Sequence, residues 1–171
     1  NVSEQAASEK IAALMSFLAN RYSGSKGTIH TWIIGNEINN NSPWHYAGDM
    51  GVEQFTAYYA KEFRLCYNAI KSQNANARVF ICIDQNWDRN RTPGNKEYYE
   101  YIDGKDFIAK FNALIASEGN IDWNVAQHPY PVPLTYSKFW DMSGCADGGY
   151  MAAQVSSGKM VTFQNLSVIT N

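Results

Sequence analysis

Apolar residues recur at helical spacing in three segments, and continuous apolar runs lie between them. Residues 3–22 carry Ile11, Leu14, Met15, Leu18 and Tyr22 on one helical face. Ser3 is placed to cap that helix, and Glu4 suits its first turn. The run Ser23-Gly24-Ser25-Lys26-Gly27 breaks the period. Residues 28–35, rich in β-branched and aromatic side chains, read as a buried strand. An Asn-rich polar loop holding Pro43, Trp44, His45 and Gly48 follows. A second amphipathic helix spans about residues 52–72, with Phe55, Tyr59, Phe63, Cys66 and Ile70 as its stripe.

The cycle then repeats. Residues 78–83 form an apolar run without alternation, as expected of a strand covered on both faces. A long polar and aromatic loop covers 84–102. Residues 103–118 read as a third helix with Phe107, Phe111, Leu114 and Ile115 inward and Gly119 placed to end it. Residues 121–126 read as a third strand leading into Gln127-His128-Pro129-Tyr130-Pro131. Beyond a Gly-rich stretch, Phe163, Leu166 and Ile169 fit a helical spacing about as well as a strand. We read residues 162–170 as the start of another helix.

Strands alternating with helices, with short turns after helices and long loops after strands, predict an α/β fold: a parallel sheet with helices packed on it. Ligands of such sheets sit at the carboxyl ends of the strands. Here those ends carry Asn36-Glu37, Asp84-Gln85-Asn86-Trp87 and His128-Pro129-Tyr130, so the chemistry-bearing residues share one rim.

Composition adds one unusual feature. The 171 residues, 45% hydrophobic and 18% charged, suit one globular domain over the whole chain, but aromatics reach 14%. A surplus of rings outside periodic faces suits a ligand with flat apolar surfaces. A net charge of −2 gives no electrostatic reason to expect nucleic acid or an anionic membrane. The three cysteines, Cys66, Cys82 and Cys145, show no metal-like clustering, and Cys66 and Cys82 fall at apolar positions expected to bury free thiols. His30, His45 and His128 lack ligand spacing, and His30 reads as a strand residue satisfied by packing. Sequons at Asn1, Asn40, Asn90 and Asn165 are weak in an Asn-rich chain, and two run into Pro.

Glu37 ends the apolar run Trp32-Ile33-Ile34-Gly35-Asn36-Glu37. A carboxylate at a buried sheet mouth loses solvation, a setting suited to a general acid. Gly35 permits close approach, and Asn36 offers a donor and an acceptor to a hydroxyl-rich ligand. The alternative for Glu37 is a loop cap or a surface ion pair. Trp87, Trp44 and, less so, Trp140 are candidates to face pyranose rings, or else to fold over their own loops. Asp84 is a fallback site residue that would otherwise pair with Arg89 or Arg91.

The run Trp-Ile-Ile-Gly-Asn-Glu-Ile-Asn resembles the fourth strand of clan A glycoside hydrolases, the (β/α)8-barrel retaining glycosidases. Residues 121–131 resemble the sixth strand of several of those families, which runs into His-x-Tyr. The resemblance implies a partial TIM barrel spanning strands four to six. It makes Glu37 the acid/base and Asn36 the group bonded to the sugar 2-hydroxyl. His128 and Tyr130 would line the site, ordering the nucleophile or holding sugar hydroxyls. The substrate would be an oligo- or polysaccharide, and the chemistry needs no metal or cofactor.

In that clan the nucleophile is a Glu ending the seventh strand. No Glu follows residue 118 here, and Asp141 and Asp147 match nothing in the pattern. A full barrel takes roughly 250 residues. The expectation is therefore a barrel truncated at both ends, inactive alone, with sheet edges prone to self-association. A non-catalytic carbohydrate-binding or pseudoenzyme barrel is the second expectation. Nucleotide-binding sheets find no support, since neither GxGxxG nor GxxxxGK[ST] occurs. An extracellular or periplasmic location is expected of such a glycosidase.

Overall fold

The computed structural model describes residues 3–25, 27–40, 45, 47–48, 50–89, 102–132, 134–135, 138–141 and 150–170. Trp44, Arg91, Cys145 and Asp147 lie outside the described residues. The order is helix α1 (Gln5–Arg21), a two-stranded hairpin β1 (Ser23–Gly24) and β2 (Gly27–Thr28), then β3 (Thr31–Ile34), α2 (Val52–Gln73), β4 (Arg78–Ile83), α3 (Gly104–Ser117), β5 (Asn124–Gln127) and α4 (Tyr150–Ser156). A 3-10 turn covers Leu166–Ile169. Among the described helices, none is long and apolar enough to cross a membrane.

The sheet is parallel, in the order β3-β4-β5. Its register sets Ile33 beside Phe80 and Phe80 beside Asn124, and sets Ile34 beside Ile81. Side chains alternate across a strand, so Ile34, Val79, Ile81 and Ile83 fall on one face. That face is buried against α2 and α3 in a single core cluster. On the other face Ile33 is 50% exposed. Sequential strand order with both crossover helices in one cluster means that the three strands are wound in one direction, without the reversal of a doubly wound sheet.

The core is an aromatic ladder. Phe55, Tyr59 and Phe63 repeat every four residues along α2 and meet Phe107 and Phe111 of α3, all fully buried. The rings cross mostly edge to face: Phe55 to Phe107 at 5.7 Å, Tyr59 to Phe107 at 5.7 Å and Phe63 to Phe111 at 5.4 Å. Burying each ring stabilises by roughly 1.5–3 kcal/mol, and the edge-on geometry adds about 0.5–1.5 kcal/mol per pair. The Tyr59 hydroxyl donates to the Ile34 carbonyl at 2.6 Å, which ties the ladder to the last residue of β3.

Several expectations need correction. The N-cap position of α1 is Glu4 rather than Ser3, and the Glu4 side chain makes no cap bond. The third strand begins at Asn124, not at residue 121: Trp123 turns its ring onto Phe111 at 5.0 Å, and Asp122 instead takes Lys71 and the Tyr67 hydroxyl. His30 is exposed and lies just before β3 rather than inside it. The Gly-rich stretch ends in α4, which the residue pattern does not announce, and residues 162–170 hold only the 3-10 turn. Cys66 and Cys82 are free and buried, as expected.

His45 packs edge-on to Phe55 and Tyr59, 5.5 and 5.8 Å between centroids. Burial holds it below its ordinary range and holds Glu62, 3.9 Å away, above its own. Both shifts favour neutral forms. For a base depressed in the fold, stability is full above the unfolded pKa of about 6.5 and is lost as pH falls through the folded one. The raised Glu62 acts with the opposite sign. His45→Phe should therefore narrow the loss of stability between pH 7.5 and 5 relative to wild type, read as the difference in urea midpoints; an unchanged difference would place no weight on the buried imidazole.

Candidate functional site

The chain leaves β3 through a tight turn that requires glycine at its first position. Gly35 has φ +81°, and a Cβ there would lie 2.6 Å from Ile38 Cγ2. Glu37 has φ +45°, a left-handed conformation that costs a non-glycine residue roughly 1–2 kcal/mol. Three hydrogen bonds hold it there. The Glu37 N–H donates to Cys82 Sγ at 3.3 Å, the Ile38 N–H to the Cys82 carbonyl at 2.9 Å, and the Asn40 N–H to the Glu37 carbonyl at 2.7 Å. The Glu37 carboxylate is thereby aimed along the sheet mouth, and the residue is only 4% exposed. Strain of this kind, over-determined by its surroundings, is a mark of functional sites.

The partner residues come from β5. The His128 N–H donates to the Ile83 carbonyl at 3.0 Å, extending the ladder by one residue past Gln127. His128 Nδ1 then lies 2.9 Å from Glu37 Oε1, and the Tyr130 hydroxyl donates to the same oxygen. The two rings meet edge-on at 5.8 Å. On its far side His128 Nε2 lies 3.4 Å from Cys82 Sγ. Glu37, His128 and Tyr130 are thus brought together from residues 93 positions apart or fewer, and Cys82 joins them from the middle strand. Asn36 is exposed beside Glu37.

The sequence pattern marks Cys82 as a buried thiol and not as a site residue. Its place in the cluster follows from the parallel register: Cys82 pairs with Ala126, two residues before His128, and so shares its face. Thiol, imidazole and carboxylate in a row match the pattern of a cysteine nucleophile with its base and orienting group. Two facts oppose that use. Cys82 is 1% exposed, and burial holds its thiol above the ordinary cysteine range, so it is neither reachable nor ionised at neutral pH. Among the described residues no group of three or more His, Cys, Asp or Glu is arranged to hold a metal ion.

Asp84 is committed elsewhere. One oxygen accepts from Asn39 Nδ2 at 2.7 Å and from the Asn86 N–H at 2.8 Å, and the other accepts from Asn86 Nδ2. The Asn39 amide also donates to the Ile102 carbonyl at 3.1 Å and receives the Asp84 N–H at 2.8 Å. Burial still raises Asp84 above the ordinary carboxylate range. This knot joins the segments after β3 and β4 to the start of α3. Arg89 donates to Asn86 Oδ1 at 2.6 Å. Trp87 is half-buried and packs on the main core, while Trp140 is 64% exposed and stacks edge-on to Phe139 at 5.0 Å. Neither ring is brought into the Glu37 cluster by a described contact, and Trp44 lies outside the described residues.

The model of a family of unknown function (DUF5722) matches residues 1–171. The chain belongs to this family. No curated protein and no solved structure matches it.

The turn before Glu37 gives the first test. Gly35→Ala adds a methyl against Ile38 at a positive φ, so it should cost about 2 kcal/mol or more in urea unfolding. A cost below about 0.5 kcal/mol would show that the turn relaxes freely.

Proposed function

We propose that the protein is a retaining glycoside hydrolase in which Glu37 is the acid/base. The observation that carries this reading is a strand-end carboxylate, nearly buried, with one oxygen bound by both His128 and Tyr130. A carboxyl group that must give up and take back a proton in one fixed direction needs one oxygen anchored, and two ring donors supply the anchor. Asn36, exposed beside it, is placed for a sugar hydroxyl.

The fold supports a barrel more than an open sheet. Three parallel strands wound in one direction, with helices on one face, are what a (β/α)8 barrel has in any three consecutive units. The face away from the helices carries Ile33 and Phe80, and at its carboxyl end His128 and the Cys82 that binds the Glu37 amide. In a barrel that face is the interior. Parallel sheets are otherwise covered on both sides.

A retaining mechanism needs a second carboxylate about 5–5.5 Å from the first. Asp84 accepts hydrogen bonds on both oxygens, so it is unsuited to attack. The nucleophile in this proposal comes from outside the described residues. The natural ligand is an oligo- or polysaccharide, acted on outside the cell or in the periplasm.

The test uses the full-length protein with aryl glycosides. Glu37→Gln keeps an oxygen to accept from His128 and Tyr130 but removes the transferable proton. Its kcat/KM should fall about 10²–10⁴-fold on a glycoside with a poor leaving group. The fall should shrink where the leaving group departs without protonation. Wild-type turnover on the poor leaving group would remove Glu37 from this role.

A further inference from the structure

The contacts of His128 assign more than its presence at the site. Its Nδ1 faces Glu37 Oε1 at 2.9 Å, and its Nε2 faces Cys82 Sγ at 3.4 Å. The sulfur already accepts the Glu37 N–H, and Nε2 is the other polar atom recorded within hydrogen-bonding distance of it among the described residues, so its S–H is placed to donate to Nε2. A bare Nε2 requires the ring proton on Nδ1, where an acceptor oxygen waits. The opposite tautomer sets a bare nitrogen against Oε1 and against the Tyr130 oxygen at 3.2 Å, whose one proton is already given to Oε1, and sets a second N–H against a sulfur that already accepts one.

We propose that Cys82 is a positioning residue that holds His128 in the Nδ1–H tautomer, so that Glu37 Oε1 is anchored by two neutral donors and Oε2 is the atom that carries the mobile proton. The assignment of Oε2 rests on the glycosidase proposal; the tautomer does not. In the protonation step the O–H bond at Oε2 breaks as an O–H bond forms on the departing glycosidic oxygen, and the electron pair stays on Glu37. In the return step Oε2 takes a proton from the attacking water. His128 and Tyr130 keep their protons throughout.

Cys82 itself meets no substrate. It is 1% exposed, at the end of β4 between the two outer strands. Its backbone and side chain do related work: the carbonyl holds Ile38, and the sulfur holds the Glu37 amide and orients the imidazole. The donor sets the direction of the whole chain from sulfur to carboxylate.

The experiment is nitrogen-15 NMR of the His128 ring in wild type, Cys82→Ser and Cys82→Ala at neutral pH. Wild type should show one protonated nitrogen, Nδ1, and one bare nitrogen, Nε2. Cys82→Ser keeps a donor and should keep that pattern. Cys82→Ala should raise the Nε2–H population about fivefold, the equivalent of one lost hydrogen bond of about 1 kcal/mol. A wild-type ring protonated on Nε2, or on both nitrogens, overturns the proposal. So does an alanine variant that folds with the wild-type tautomer. If the alanine variant fails to fold, the wild-type ring and the serine variant decide alone: loss of the Nδ1–H pattern in folded Cys82→Ser overturns it. The Nδ1–H pattern in a protein without glycosidase activity would sink the catalytic reading and leave the tautomer lock standing.

Discussion

A single carboxylate oxygen, Glu37 Oε1, is shared by an imidazole and a phenol that arrive from the far side of the sheet. Its position is set by register. β3 and β5 do not touch; each pairs with β4. The contact between their ends therefore crosses the middle strand, and Cys82 of that strand supplies the bridge on both sides. A slip of one residue in either pairing would turn Glu37 or His128 to the helix face and abolish the cluster, because side chains alternate with a period of two.

The register is held from below. The aromatic ladder between α2 and α3 is fully buried, and Tyr59 extends it to the Ile34 carbonyl, one residue before the strained turn. The left-handed backbone at Glu37 costs roughly 1–2 kcal/mol, well below what the buried rings of the ladder return together. The Asn39–Asp84–Asn86 knot acts in the same sense from above, fixing the segment that follows the turn with bonds to two other loops. Glu37 is strained between two well-supported neighbours, Ile34 and Asn39.

Much of this was legible in the residues because the helices carry clean periods and β4 is an unbroken apolar run, which the structure matches residue for residue. Glu37, His128 and Tyr130 could be placed at one rim from strand-loop alternation alone. The barrel itself stays a proposal, since three strands do not close a sheet. What could not be read has physical reasons. Cys82 looks like any buried thiol until parallel register sets it beside Ala126. Asp84 looks like a site carboxylate until its amide partners, 2 and 45 positions away, are known. Ile121 and Trp123 have strand propensity, yet the pull of the Phe111 ring keeps that segment out of the ladder. α4 follows glycines and carries no clear apolar stripe.

The turn Gly35-Asn36-Glu37 also bears on how this family can drift. Position 35 is closed to every side chain by space, and position 37 is held by a large residue where glycine or asparagine would sit with less strain. A lineage released from the need for a carboxyl group would find those two replacements favoured by local energetics alone. Glutamate at position 37 therefore stands against the preference of its own backbone, so its presence there is the part of the turn that local energetics do not account for.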